Sequence, residues 1–141
     1  MTHKTLIYFF DETGSFILKN KSAIKKIIIK IINDHKKESG PANFIFCNDK
    51  YLLNLNKTYL HRNTLTDIIA FDYSENNSVS GDIFISIDRV KENAKSLKLT
   101  FHNELSRIII HGTLHLCGYN DNTAKEKISM RKKEDTYLQR F

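Results

Sequence analysis

Apolar residues recur along the chain at two spacings, one typical of buried strands and the other of helices. Short runs rich in β-branched and aromatic residues predict four strands, at residues 6–10, 42–47, 67–73 and 81–87. In the stretch 20–37, isoleucines recur at helical spacing with lysines between them, which indicates an amphipathic helix. The polar stretch 74–80 joins the last two strands, so we expect an antiparallel pair with a mobile connection.

Polar residues that can accept backbone N–H groups mark the starts of the other helices. The predicted caps are Asn48 or Asp49, Asp88, Thr100, and Thr123, the last in a capping box with Glu126. Gly118 is predicted to end the helix that starts at Thr100, because glycine readily adopts the left-handed conformation that follows a helix. The sequence Ser39-Gly40-Pro41 contains the only proline and predicts a turn.

The order of these elements is strand, helix, strand, helix, two strands and three helices. This order predicts an α/β (α+β) fold, with a small mixed β-sheet of about four strands packed with about five helices. The helix at 101–117 is apolar nearly all round, which is typical of a central, buried helix. A length of 141 residues corresponds to about one domain, so we expect a single domain spanning 1–141.

Composition narrows the class of protein only modestly. Lys and Arg number 22 against 16 Asp and Glu, giving a net charge of +6, which suits either a nucleic-acid partner or solvated lysines. Two cysteines, Cys47 and Cys117, are too few for a disulfide framework, and we interpret both as reduced thiols. No apolar run approaches the roughly 18 residues of a membrane span, and residues 1–4 lack a signal-peptide core. We therefore expect a cytoplasmic protein without a membrane partner.

Two histidines inside the apolar helix, His111 and His115, are four residues apart. Four residues advance a helix by about 6 Å and about 400°, so both rings leave the same face. Two imidazoles so placed can bind one metal ion at the usual zinc–nitrogen distance of about 2.0–2.1 Å. The alternative is a pair of hydrogen-bonded core histidines, since this spacing alone also occurs by chance.

The residues around this pair favour the metal interpretation. Neutral imidazoles in an apolar helix need partners, and a metal ion would supply one to each. Asp121 follows shortly after Gly118, so the returning chain can bring its carboxylate to the same ion. The pattern His-x3-His-x5-Asp offers three protein ligands with a fourth position for water, the composition of a catalytic Zn²⁺ site. We therefore predict a buried, metal-bearing helix in a zincin-like arrangement.

The residue after His111 excludes one class of metalloenzyme. A metalloprotease helix carries Glu directly after its first histidine as the general base, whereas this chain has Gly112. Arg107, one turn before His111 on nearly the same face, is placed to meet a phosphate or to pair with Glu104. Asp82 is interpreted either as an acceptor for a histidine N–H or as a strand-start cap. The run 131–133 is balanced by Glu134 and Asp135 and indicates a solvated helix face.

Residues 111–121, HGTLHLCGYND, resemble the signature of the YbeY family of bacterial endoribonucleases and rRNA maturation factors, His-Gly-x-Leu-His-Leu-x-Gly-Tyr-Asp-His. Further similar segments occur in the family's order, at 55–59 (LNKTY), 66–71 (TDIIAF), 81–86 (GDIFIS) and 130–138. The resemblance covers most of residues 44 to 138. It implies a metal-dependent endoribonuclease that cuts single-stranded RNA in rRNA processing, including maturation of the 16S rRNA 3′ end, and in ribosome quality control.

The resemblance also implies partners and site residues. The expected partners are rRNA in the small ribosomal subunit and a ribosome-associated GTPase. Together with the residue spacing, the resemblance makes His111, His115 and Arg107 the expected catalytic residues, around one Zn²⁺ ion held by His111, His115 and Asp121 plus water. RNA would be bound through Arg107, on nearly the same helix face as His111, and through Lys57 and Arg62, neither of which aligns with the family's arginine.

The sequence departs from the family pattern at two positions. The third ligand is usually His, and Asp121 stands there, which lowers the net charge of the site by one and favours harder ions. The family's arginine after Asn-x-x-Tyr is Leu60 here, so Arg62 or Lys57 would have to serve as the phosphate-directed cation. Two other functions remain open at this point: a metal-dependent hydrolase of another class, and a non-catalytic ribosome assembly factor whose metal braces the fold.

Overall fold

The computed structural model describes residues 6–140, so the prediction about a signal peptide in residues 1–4 lies outside the described residues. The elements are β1 (Ile7–Asp11), α1 (Lys21–Asp34), β2 (Glu38–Cys47), α2 (Asp49–Leu60), β3 (Ile68–Asp72), β4 (Ser78–Ser86), α3 (Ile87–Leu97), α4 (Phe101–Leu116) and α5 (Ala124–Leu138). The predicted order of strands and helices is confirmed. No helix in this described part of the chain is long and apolar enough to cross a membrane.

The four strands form one sheet in the order β1-β2-β4-β3. The pairs β1–β2 and β2–β4 are parallel, and β3–β4 is antiparallel. The predicted mixed sheet and the antiparallel last pair are therefore confirmed. Helix α4 packs on one face of this sheet. Strand β3 lies at the edge of the sheet, next to β4.

Helix α4 lies at the centre of the larger hydrophobic cluster, as its apolar sequence predicts. Its residues pack with those of α1 and the inward residues of β2 and β4, including Ile109, Ile28, Phe44 and Ile83. Gly112 brings the helix backbone against the sheet, because a Cβ added there would lie 3.0 Å from both Ile68 Cδ1 and Ile83 Cγ2. A smaller cluster on the opposite face of the sheet joins α2 to β2 and β3.

The predicted helix starts are confirmed at three positions. The side chains of Asn48, Thr100 and Thr123 each accept a backbone N–H from three residues onward, and Thr123 forms the complete capping box with Glu126. Gly118 follows α4 with a φ of 104°, as its proposed role after the helix end requires.

Three local predictions are wrong in detail. Ser39-Gly40-Pro41 is not a turn but part of β2, where the strand register shifts between Ser39 and Ala42. Such an irregularity tolerates a proline, since the missing N–H falls outside the regular ladder. Helix α3 is capped by Ser86, which accepts from Arg89 N, and Asp88 lies in its first turn. The β3–β4 connection is shorter than predicted, because Ser78 already belongs to β4.

Candidate functional site

A cleft of about 640 Å³ opens between α4, α5, β3 and the segment that joins α2 to β3. One face of α4 supplies five of the side chains that line it: Glu104, Arg107, Ile108, His111 and His115. The spacing of these residues places them on a single helical stripe, as predicted for the two histidines. Polar chemistry is therefore concentrated along one side of a helix whose other sides are buried in the core.

His111 is held between two carboxylates. Its Nδ1 lies 2.7 Å from Glu134 Oε2 on α5, and its Nε2 lies 3.3 Å from Asp121 Oδ2 in the loop after α4. With Nδ1 donating to Glu134, Nε2 is the nitrogen that points toward the cleft. Burial lowers the pKa of His111, but the hydrogen bond and charge of Glu134, with the charges of Asp121 and Asp67, outweigh it and raise the pKa.

His115 is oriented by the protein backbone. Its Nδ1 lies 2.7 Å from the carbonyl oxygen of Tyr119, which accepts the ring N–H, so that Nε2 takes no part in this hydrogen bond. The ring centroids of His111 and His115 are 6.0 Å apart. The prediction that both rings leave the same face of α4 is thus confirmed by their shared place in the cleft.

Asp121 reaches the cleft because the chain reverses at Gly118, and its carboxylate lies beside His111. Within residues 6–140, however, no three His, Cys, Asp or Glu side chains are gathered closely enough to hold one ion. The structure thus brings Asp121 to His111 without assembling all three predicted ligands into a finished site. That His111, His115 and Asp121 together bind an ion stays a prediction.

The chemistry of the donors nevertheless fits a metal ion. Metal-binding histidines usually donate one ring N–H to a carboxylate or carbonyl oxygen, which fixes the ring and leaves the other nitrogen for the ion. His111 does so with Glu134, and His115 does so with the carbonyl oxygen of Tyr119. Two imidazole nitrogens and the oxygen of Asp121 match the ligand types of a catalytic zinc site with an open position.

Glu134 is the functional residue that sequence reasoning missed. It was assigned to a solvated helix face, but its side chain is 7% exposed, and it accepts from both His111 and Arg107. The sequence gives little sign of this burial, because only Met130 and Tyr137 flank Glu134 at helical spacing; the structure shows that all three are buried. A carboxylate on the apolar stripe of a helix indicates a buried partner.

Arg107 lines the cleft, but its guanidinium is engaged within the protein. It donates to Glu134 Oε1 at 3.1 Å and to Asp135 Oδ1 at 2.9 Å, and its side chain is 14% exposed. Arg107 therefore pairs with α5. The predicted ion pair between Arg107 and Glu104 is not formed. Asp82 has neither of its two predicted roles, since it lies inside β4 and not at the strand start, and it accepts from Asn43 Nδ2 at 2.9 Å and not from a histidine.

The other predicted RNA-binding cations lie apart from each other. Arg62 is exposed and lines the cleft, whereas Lys57 is exposed on α2 and does not line it. Leu60, at the position of the family's arginine, lines the cleft as well. Arg131 on α5 is a further exposed cation at the cleft that was not predicted.

Two carboxyl groups deeper in the cleft have perturbed acidities. Burial raises the pKa of Asp67, although the charge of His111 and a hydrogen bond from Asn93 oppose the rise. Burial also raises the pKa of Glu104, where Arg107 opposes the rise and Asp67 adds to it. Acidic groups with raised pKa values in a cleft are typical of functional sites.

Comparisons with known proteins identify the family of the chain. A family model described as Endoribonuclease YbeY matches residues 10–141. The Endoribonuclease YbeY of Flavobacterium psychrophilum is 44% identical over 132 residues, covering 94% of this chain and 94% of its own. That of Karelsulcia muelleri is 47% identical over 133 residues, again with 94% of each chain covered.

A solved structure shares the fold. The solution structure of TM1509 from Thermotoga maritima matches with a TM-score of 0.68 and 26% sequence identity, covering 95% of this chain and 87% of that one. The family match over nearly the whole chain, the level of identity and the shared fold lead to one conclusion. The chain belongs to the endoribonuclease YbeY family.

Proposed function

We propose that this protein is a metal-dependent endoribonuclease that cuts single-stranded RNA during rRNA processing. The proposed tasks are maturation of the 3′ end of 16S rRNA and ribosome quality control. The family relationship supports an RNA-cleaving hydrolase. The observation that carries the metal dependence is the pair of imidazoles whose Nδ1 atoms are engaged by Glu134 and by the Tyr119 carbonyl.

In this proposal His111, His115 and Asp121 hold one Zn²⁺ ion, with water at the fourth position. When bound, the ion supplies Lewis-acid polarisation of a phosphodiester oxygen or activation of water. Glu134 keeps the proton of His111 on Nδ1, so that Nε2 faces the cleft. Asp121 adds a negative charge that a histidine would not, so the site is expected to favour harder ions more than a three-histidine site does.

The remaining side chains bind and orient the RNA. The exposed cations Arg62 and Arg131 line the cleft and would attract the phosphates of a single strand. Arg107, already paired with Glu134 and Asp135, acts mainly on the orientation of Glu134, and through it on His111. Lys57 would extend the phosphate contacts along α2.

The proposed setting follows from the same relationship. A single domain of this kind would act in the cytoplasm on rRNA of the small ribosomal subunit, together with a ribosome-associated GTPase. No membrane partner is part of the proposal.

The decisive experiment measures metal content and RNA cleavage in the same preparations. Purified protein is compared with His115→Ala, Asp121→Ala and His102→Ala, the last an exposed histidine at the start of α4 that does not line the cleft. We expect about one metal ion per chain and chelator-sensitive cleavage of single-stranded RNA in the unchanged protein and in His102→Ala. His115→Ala and Asp121→Ala should bind metal about 10- to 100-fold more weakly and lose cleavage in proportion.

Other outcomes would assign the chain differently. Metal content unchanged in both His115→Ala and Asp121→Ala would contradict the proposed site. Chelator-sensitive cleavage of esters or peptides with RNA left intact would indicate a metal-dependent hydrolase of another class. Ribosome binding without RNA cleavage, unaffected by His115→Ala, would indicate a non-catalytic assembly factor, an outcome to which Leu60 in place of the family's arginine lends weight.

A further inference from the structure

Two buried polar atoms in the cleft have no hydrogen-bond partner among the described residues: Glu104 Oε1 and Arg107 Nε. They belong to residues three apart on α4, which places both on the stripe that faces the cleft. Glu104 is 3% exposed, so its carboxylate does not reach bulk solvent. Two side chains that line the cleft therefore each carry one unused polar atom, a hydrogen-bond acceptor on Glu104 and a donor on Arg107.

Leaving such atoms unpaired is costly. A buried polar group without a partner costs about 1–3 kcal/mol, and a charged group costs more. Native proteins keep such groups rare, and each one that occurs calls for a bound partner or a functional reason. The pair in this cleft is suited to a ligand that presents a hydrogen-bond donor next to an acceptor.

The surroundings argue against a second metal ion as that ligand. The guanidinium of Arg107 places a positive charge beside Glu104, which repels a cation. The nearby carboxylate Asp67 accepts from Asn93 Nδ2 at 3.1 Å.

The walls of the cleft suit a flat ring. Apolar side chains line it near the unpaired atoms: Leu65, Ile68, Leu97 and Ile108. The edge of every RNA base carries an N–H donor beside an acceptor nitrogen or oxygen, and unstacked bases of single strands are read on this edge. A volume of about 640 Å³ leaves room for a base next to the phosphates.

We propose that Glu104 and Arg107 form a subsite for one nucleobase of single-stranded RNA. The base donates an N–H to Glu104 Oε1 and accepts from Arg107 Nε. The subsite lies one to two turns of α4 before His111, so the base it holds stands at a fixed position relative to the proposed metal ligands. This inference rests on the proposed function and adds to it that a base, and not only the phosphates, is bound near the cleaved bond.

The test measures binding in the absence of metal, so that it does not depend on cleavage. The full chain is titrated, with chelator present, into fluorescent trinucleotides of A, C, G or U and into an abasic trinucleotide of ribose phosphates. We expect the base-bearing trinucleotides to bind about tenfold more tightly than the abasic ligand, the size of a good pair of base-edge contacts. In Glu104→Gln this preference for a base over the abasic ligand should fall to about twofold, because the acceptor is partly replaced by a donor.

Two further variants make the test specific. Arg107→Lys keeps the charge but removes Nε, and it should lose the same preference even if Glu104→Gln does not fold. Ser106→Ala is the matched control, since Ser106 Oγ is also buried and unpaired on α4 but does not line the cleft. Its base preference should equal that of the unchanged protein.

The inference is overturned if the unchanged protein binds all four trinucleotides and the abasic ligand alike. It is also overturned if the folded variants of Glu104 and Arg107 keep the original preference. Cleavage of mixed-sequence RNA with metal restored is assayed separately. Failure of that assay alone contradicts the proposed function and leaves the binding result to decide the subsite.

Discussion

Glu134 accepts hydrogen bonds from two side chains at once, and this explains how a carboxylate is stable inside the protein. Oε2 accepts from His111 and Oε1 accepts from Arg107, so both oxygens of the buried group are used. Paired and hydrogen-bonded charges offset much of the cost of burial, whereas an unpaired charge does not. Glu104 is the contrasting case on the same cleft, since its Oε1 has no partner among residues 6–140.

That contrast leads to a prediction about pH. Burial raises the pKa of Glu104 above its ordinary value of 4.5, so the folded protein keeps a proton there that the unfolded chain has lost. The free energy of unfolding therefore falls as pH rises through the range above about 4.5 and then levels off above the folded pKa. Glu104→Gln removes this loss and should stabilise the protein at pH 7–8 by about 1 kcal/mol, or about 3 °C in Tm.

The stability that Glu104→Gln adds should shrink as pH falls to about 4, where the unfolded chain also holds the proton. Thermal melts from pH 4 to pH 8, followed by circular dichroism, measure this difference in Tm. For the control Ser106→Ala, the difference in Tm from the unchanged protein should not depend on pH. A Glu104→Gln variant less stable than the unchanged protein at pH 8 would contradict this account.

The sequence predicts the histidine pair because the two residues are close in sequence. A spacing of four residues on one helix makes both rings leave the same face. It also predicts that the chain turns back at Gly118 and brings Asp121 nearby. It does not predict that Glu134 meets His111, since these residues are 23 positions apart and the contact depends on how α5 packs against α4. The unused atoms of Glu104 and Arg107 are likewise visible only after packing.

At the scale of elements, α5 closes one side of the cleft and carries Glu134. Its buried residues are few: Met130, Glu134 and Tyr137. Tyr137 also donates to Asp34 Oδ2 at 2.7 Å, which ties α5 to α1. The start of α5 depends on the capping box at Thr123, two residues after Asp121, so the cap and the proposed ligand share one short loop.

We therefore expect Thr123→Ala to destabilise α5 and to disturb the position of Asp121. Loss of a threonine cap costs about 1 kcal/mol. Hydrogen exchange should speed up in the first turn of α5, and metal affinity should fall along with the stability. Thr136→Ala is the matched control, because Thr136 is exposed in the same helix and only donates back to the Lys132 carbonyl. Equal effects of the two substitutions would refute the role of the cap.

The elements that the sequence predicts best are those with strong local signals, such as the capped helix α4. Two misplaced boundaries have physical causes that the local sequence conceals. Ser39-Gly40-Pro41 has turn chemistry but lies in β2, because pairing with β4 continues on both sides of the irregularity. Ser86 and Asp88 are both residue types that cap helices. Because β4 ends at Ser86 and α3 begins at the next residue, Ser86 is the cap.

At the scale of the whole molecule, the net charge of +6 is spread over several helices, and the cleft receives only part of it. Arg62 and Arg131 are exposed there, while the charge of Arg107 is offset by Glu134 and Asp135. Binding of RNA phosphates should accordingly depend on a few residues and not on the total charge. The sequence gives the total, but only the fold shows which cations remain available.

Arg62→Ala should weaken binding of single-stranded RNA to a similar degree for all base sequences. Removal of one phosphate contact should reduce the slope of log K against log salt concentration by about 0.7. The control is Lys26→Ala, because Lys26 is exposed on α1 and does not line the cleft. Titrations at several salt concentrations measure both slopes. A slope that Arg62→Ala leaves unchanged, or that Lys26→Ala reduces equally, would exclude Arg62 as a phosphate contact.

The close approach at Gly112 couples three positions during the evolution of this chain. A methyl group at position 112 would lie 3.0 Å from Ile68 Cδ1 and Ile83 Cγ2, on two different strands, so these side chains would have to give by a few tenths of an ångström. A lineage that acquires alanine there must therefore adjust the side chains at positions 68 and 83 or shift α4 slightly. His111 and His115 would move with that helix. Substitutions at positions 68, 83 and 112 are therefore constrained jointly and not one position at a time.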